Sequence, residues 1–322
     1  MKILITGGMG FIGSHLAEAL LKRGDKVSVI DDLSTGSMEN IGGIKDNKNF
    51  SYVTDSILNQ PVMERMIRDV DVIYHMAAAV GVKYIIDNPL KSIEVNTRGT
   101  EIVLELANAL GKKKVIIAST SEIYGKDRNG VYAFKEDDDR VLGSTRISRW
   151  SYSCTKALDE FLALAYYREK KLPVVIVRFF NTVGPRQSER YGMVLPRFVK
   201  QALLSQPITI FSDGKQTRSF TYIDDVVDAV IKLASEEKAE GDIFNIGNPE
   251  GISIEGLAKK VKQFTKSASE IVRIPYEKAY EKGFEDMRHR QPDITKIKRL
   301  IDFEPKIGID EIIKSVIAYF ER

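Results

Sequence analysis

Seven residues near the start of the chain constrain its fold more than any others: Gly7-Gly8-Met9-Gly10-Phe11-Ile12-Gly13. They follow a short apolar segment, Lys2–Thr6, that reads as a strand. They lead into Phe11–Arg23, whose Ile12, Leu16, Ala19 and Leu20 share one helical face, closed by Gly24. Glycines at 7, 10 and 13 let the backbone turn tightly and approach a pyrophosphate. The free N–H groups of the helix N-terminus can then bind that anion. A second strand, Lys26–Asp31, ends in an acid 18 residues beyond Gly13, near the spacing of about 20 expected of a ribose-binding carboxylate. An acid there accepts hydrogen bonds from an adenosine 2′-hydroxyl and repels a 2′-phosphate, so it favours NAD over NADP. No Gly-Lys-Ser/Thr follows the turn, which excludes a Walker-type phosphate loop.

The same alternation continues along the first half. Strands are expected at Phe50–Thr54, Val70–His75, Lys114–Ser119 and Val174–Phe179, and helices at Val62–Arg68, Leu90–Leu110 and Ser151–Lys171. Continuous apolar strands alternating with helices imply a parallel sheet covered on both faces. The expected fold is therefore α/β: a Rossmann-type doubly wound parallel sheet with a smaller C-terminal substrate-binding α/β lobe. After Asn181 loops lengthen, and Asp242–Ile246 reads as a return to the sheet. This divides the chain into a dinucleotide-binding domain at 1–180, rejoined by 222–247, and a second domain at 181–221 and 248–322. The length, 322 residues, suits one large domain or two intimate ones. Lys and Arg number 48 against 45 Asp and Glu, too even a balance for a nucleic-acid-binding tail or a polybasic membrane anchor. No apolar run is long enough to span a membrane, and the N-terminus lacks the pattern of a signal peptide. One cysteine, Cys154, and three scattered histidines leave no disulfide and no structural metal site to expect. The expected location is cytoplasmic.

Two further segments carry chemistry. Tyr152 and Lys156 are four residues apart on a predicted helix, so phenol and ammonium can point into one cleft. A neighbouring cation favours phenolate and makes Tyr152 a candidate base. Taken alone, that spacing is common and reads more simply as a solvated helix face. Ser119-Thr120-Ser121-Glu122-Ile123-Tyr124-Gly125 closes the fifth strand, and in an open α/β sheet ligands sit beyond the carboxyl ends of the strands. Thr120 can share a substrate proton with Tyr152, and Glu122 adds a carboxylate. Other residues read plainly: His75 as a packed turn residue, His15 as a support for the glycine turn, Trp150 as a brace for the Tyr152 helix, Cys154 as core, and the acidic run 136–139 as solvated.

Together these motifs, with Arg178-Phe179-Phe180-Asn181, Gly214-Lys215-Gln216-Thr217-Arg218-Ser219-Phe220 and Phe244-Asn245-Ile246-Gly247, resemble the extended short-chain dehydrogenase/reductases that act on nucleotide sugars. The resemblance spans nearly the whole chain. It implies an NAD-dependent enzyme in which Tyr152 takes the proton of a sugar 4-hydroxyl while C4 loses a hydride. Lys156 would hold the nicotinamide ribose and lower the phenol's pKa. It implies cofactor contacts at Gly7, Gly10, Phe11, Ile12, Gly13, Asp31, Asp55, Ala77 and Asn96. It implies substrate contacts at Ser121, Asn181, Arg190, Arg218 and Arg290, with a substrate that is a nucleotide sugar, UDP-linked in most of the family. Glu122, the segment Gly283 to Asp293, Arg149-Trp150-Ser151-Tyr152-Ser153 and Glu304-Pro305-Lys306-Ile307 are similar to the UDP-glucuronate decarboxylases. In that branch an arginine matching Arg290 meets the substrate carboxylate; elsewhere in the family it clamps the diphosphate. A UDP-sugar 4-epimerase, a 4,6-dehydratase and a non-catalytic NAD-binding protein remain alternatives. The resemblance also implies a homodimer, through a four-helix bundle made by the two long helices. Ile102, Leu106, Leu158 and Leu162 are the expected surplus apolar residues on them.

Overall fold

The structure is a computed structural model that describes residues 1–126, 133–189, 192–279 and 287–321. Seven strands, β1 (Lys2–Thr6), β2 (Lys26–Asp31), β3 (Phe50–Thr54), β4 (Val72–His75), β5 (Lys114–Thr120), β6 (Val174–Phe179) and β7 (Asp242–Ile246), form one sheet in the order β7-β6-β5-β4-β1-β2-β3. Every pairing is parallel. Such strands must bury both faces, which explains their unbroken apolar runs. Alternate residues feed opposite cores. Ile3, Ile5, Val175 and Val177 pack on one side, and Leu4, Val174 and Ile176 on the other. Burying each such side chain is worth about 1.5–3 kcal/mol.

On the first face lie α1 (Phe11–Lys22) and, later in the chain, α6 (Ile223–Ser235). On the second lie α2 (Gln60–Ile67), α3 (Pro89–Ala109) and α4 (Trp150–Ala165). Helices α2 and α3 each carry a proline in their first turn, where an N–H has no intrahelical partner to lose. The helix expected over 151–171 ends its α-helical part at Ala165. Its last turn widens to a π-helix at Tyr166–Lys170, closed by Lys171 in the left-handed region at φ 55°.

A third core joins α5 (Val194–Leu203), α7 (Ile254–Phe264) and α9 (Ile309–Phe320), through Leu195, Phe198, Leu257, Val261, Ile313 and Val316. This is the smaller lobe. Strand β7 joins the main sheet, and helix α6 packs on its first face. So does α8 (Thr295–Ile301), whose Ile297, with nearby Phe303, packs into the first core rather than the third.

Candidate active site

One cleft of about 430 Å³ runs beyond the carboxyl ends of the strands, from Gly7 and Asp31 past Tyr152 to Arg218. At one end the glycine turn does what its composition requires. Gly7 stands at φ +68°, and a Cβ there would come within 2.8 Å of the Ala77 backbone. A Cβ on Gly13 would lie 2.2 Å from the Gly7 carbonyl oxygen. The turn therefore packs backbone on backbone, and Gly10 precedes α1 with no side chain capping the helix's free N–H groups. Phe11, Ile12 and Ala77 line the cleft beside it. Asp31, buried at the tip of β2, accepts hydrogen bonds from the N–H groups of Met9 (3.0 Å) and Leu33 (2.9 Å). Burial is the largest influence on its carboxyl and raises its pKa, against those bonds. Asp55 also faces the cleft, its oxygens engaged by the Ser56 N–H and the Asn59 amide. This cradle, with a positive helix end and an acid at the second strand, fits a dinucleotide. Asn96 behaves differently from the expectation of a direct cofactor contact. It is buried, and its amide binds both the N–H (2.8 Å) and the carbonyl (3.2 Å) of Ala79, so it holds the loop after β4 rather than facing the cleft.

In the middle of the cleft α4 presents Tyr152 beside Thr120. The Thr120 hydroxyl accepts from the Glu122 N–H at 3.2 Å and so shapes the turn after β5. Burial, first, and then the Glu122 carboxylate push the phenol's pKa up; the Thr120 hydroxyl and Arg290 oppose them, and Asp159 adds to them. The expected depression of this pKa by Lys156 is not what the structure shows. The Lys156 Nζ is buried and donates to Asp159 Oδ2 at 2.7 Å, so its charge is already matched.

The carboxylate of Glu122 lies between two guanidiniums. Arg290 Nη1 donates to Glu122 Oε1 at 3.0 Å, and Arg149 Nη2 stands 3.6 Å from the same oxygen. Arg290 Nη2 donates to Asn181 Oδ1 at 2.5 Å, and Asn181 in turn donates to the Ser219 carbonyl at 2.8 Å. Arg290 thus bridges Glu122 and Asn181. Ser121 and Arg218 also line the cleft, with Arg218 Nη1 donating to the Thr217 carbonyl at 2.8 Å. Toward the smaller lobe the Arg197 guanidinium lies 4.2 Å over the Phe211 ring. Arg190 and the stretch 283–286 fall outside the described residues.

Sequence reasoning missed a buried scaffold behind the site. Glu160 and Arg178 form a two-point pair (2.9 and 2.7 Å), and Ser119 donates to Glu160 at 2.5 Å. Arg178 also donates to the Tyr124 hydroxyl, which donates to Asn245 at 2.6 Å. The usable signal was an arginine in an otherwise apolar strand, since a buried guanidinium demands a partner. Glu136, expected in solvent, instead accepts from the Asn245 N–H at 2.8 Å and is raised in pKa chiefly by burial. It docks the 133–149 segment onto the sheet. Cys154 is exposed rather than core, because α4 turns positions 154, 158 and 161 outward. His75 is buried between the hydroxyls of Thr6 (2.7 Å) and Thr100 (3.1 Å). Trp150 is buried at the start of α4, and His15 binds the Phe11 carbonyl at 2.9 Å, both in the supporting roles expected. Among the described residues no group of acids, histidines and cysteines could hold a metal ion.

A family model described as GDP-mannose 4,6 dehydratase matches residues 4–316. The chain belongs to that family. It is 44% identical to the UDP-N-acetyl-alpha-D-glucosaminuronate decarboxylase of Bacillus cytotoxicus, over 100% of this chain and 98% of that one. It is 33% identical to UDP-glucuronic acid decarboxylase 1 of Xenopus tropicalis, over 100% of this chain and 72% of that protein. Among solved structures it resembles UDP-glucuronic acid 4-epimerase from Bacillus cereus, in complex with UDP-glucuronic acid and NAD. That match has TM-score 0.89 and 31% identity, over 100% of this chain and 99% of that one. The expected family of NAD-dependent nucleotide-sugar enzymes is therefore the right one.

Proposed function

We propose that this protein uses NAD to oxidise C4 of a UDP-linked hexuronate and releases the C6 carboxylate as CO2. The observation that carries the reading is Glu122, held between Arg149 and Arg290 in the cleft that Tyr152 faces. Arg149 and Arg290 both line that cleft, and a guanidinium can hold a substrate carboxylate through two parallel hydrogen bonds. A half-buried carboxylate beside C6 has no evident task in an enzyme that only inverts C4.

Bound NAD would supply the acceptor, and later the donor, of the C4 hydride, held by the glycine turn and Asp31. The Tyr152 phenolate accepts the 4-hydroxyl proton, with Thr120 sharing it. A ketone at C4 makes the C6 carboxylate that of a β-keto acid. The C5–C6 bond then breaks, CO2 leaves, and the electron pair remains on C5 as an enolate. Arg290 is placed to stabilise that charge, and a proton then adds at C5. Tyr152 returns its proton to O4 as C4 is reduced. Asn181 and Arg218 hold the diphosphate, and Ser121 the sugar.

The alternative is a UDP-glucuronate 4-epimerase, which the Bacillus cereus structure favours. Incubation with NAD+ and UDP-glucuronate, UDP-N-acetylglucosaminuronate, UDP-glucose and GDP-mannose separates the reactions by product mass. Loss of CO2 from a hexuronate is expected, and is abolished in Arg290→Ala more severely than UDP binding is weakened. UDP-galacturonate formed with no mass change would hand the site to the epimerase reading. The proposal includes the division into a dinucleotide domain (1–180, 222–247) and a substrate domain (181–221, 248–322), a homodimer, and a cytoplasmic location. No described helix is long and apolar enough to cross a membrane.

A further inference from the structure

Beneath the phenol lies a buried polar group that the reaction as written does not use. Asp159 is one turn beyond Lys156 on α4, and both side chains are almost wholly buried, at 1% and 2% exposure. One carboxylate oxygen takes the Lys156 Nζ at 2.7 Å, while Asp159 Oδ1 is buried without a hydrogen-bond partner. A buried carboxylate is retained at this cost only if it is paired. Its partner here is Lys156.

We infer that Asp159 is a positioning residue: by pairing with Lys156 below Tyr152, it cancels much of the lysine's field at the phenol and sets the pH at which Tyr152 becomes a base. The surroundings support this. Facing the phenol are Glu122 from the turn after β5, Arg290 from the segment after 287, and Asp159 itself. Facing the pair from β4 is His75, whose pKa is pushed down to about 3 by burial and by Lys156, so it brings no charge at neutral pH. Thr100 of α3 and Glu160 of α4 also face Asp159. Among these groups Arg290 favours phenolate, while Asp159 and Glu122 disfavour it. Asp159 is the one that can be neutralised without touching the cleft, and Asp159→Asn keeps its shape.

The inference rests on Tyr152 being the base, and its test does not require knowing the sugar. The ultraviolet absorbance of tyrosinate is titrated in the NAD-loaded protein and in the Asp159→Asn protein, each against its own Tyr152→Phe counterpart. The phenolate is expected about one pH unit lower in Asp159→Asn, with bound NAD retained. Asp159→Ala gives the same direction should the asparagine variant fold poorly. The acid limb of kcat/KM moves with it on whichever UDP-sugar is turned over. A phenolate titration that stays in place, or moves to higher pH, overturns the inference. Product mass is read separately, so an epimerase outcome would defeat the decarboxylase reading while the titration still decides the role of Asp159.

Discussion

Tyr152 is a base only in the environment its neighbours build, so its substitution is the sharpest single test of the site. The phenol lies beside Thr120 and within the fields of Glu122, Arg290 and Asp159. Tyr152→Phe keeps the ring and its packing and removes only the proton acceptor. Turnover should fall by about 10²–10⁴, with NAD still bound, as measured by steady-state rate and by cofactor content after gel filtration. Asp31 offers a second test at this scale. Its oxygens already accept two backbone N–H groups, yet each oxygen keeps a lone pair for a ribose hydroxyl. Asp31→Ala should lower affinity for NAD relative to NADP, read by fluorescence titration of both cofactors. An unchanged ratio would remove Asp31 from the cofactor site.

The segment that carries Arg290 is fastened on its C-terminal side, so its anchors should control the stability of the site. Gln291–Pro292 pairs in parallel with Ala133–Phe134, and the Asp293 N–H donates to the Phe134 carbonyl at 2.8 Å. Asp293 Oδ1 then accepts the Thr295 N–H at 2.8 Å at the start of α8. Burial pulls the Asp293 pKa upward, but the Thr295 bonds outweigh it and hold the carboxyl below its ordinary 3.8. A depressed folded value contributes stability above the unfolded value, lost as pH falls through the folded one. Asp293→Ala should therefore cost about 0.5–1.5 kcal/mol at pH 7. In thermal unfolding the gap to wild type should close as pH drops below 3.8. Contacts of this kind were the part hidden from the sequence. The seven strands and the glycine turn were legible because a two-faced parallel strand has no choice but a continuous apolar run. The partners Arg290 and Glu122 are 168 positions apart, and no periodicity links them. Glu160 was invisible for a related reason: α4 is buried on two sides, so a one-face pattern could not say that it points inward while Cys154 points out. Glu136 read as solvated because a run of acids carries no mark of the one that is docked.

At the scale of the whole molecule, the outer surface of the two long helices exposes large apolar side chains. Ile102 and Leu106, expected there, are buried against the sheet. The apolar residues that do face outward are Leu90 and Ile93 on α3 and Leu158 and Phe161 on α4, with Leu90, Leu158 and Phe161 each more than half exposed. Helices α3 and α4 pack side by side, and their outward sides are the face that would pair. A symmetric pairing of that face across a two-fold axis would bury all four residues on each protomer and build a four-helix bundle. The exposed Cys154 lies one turn before Leu158 on the same stripe. Wild-type protein should run as a dimer of about twice 36.3 kDa by light scattering at micromolar concentration. Leu158→Glu, which would desolvate two like charges at the centre of the bundle, should run as a monomer with unchanged far-ultraviolet circular dichroism. A monomeric wild type would refute the pairing. A dimer that survives Leu158→Glu together with Phe161→Glu would move the interface to another face.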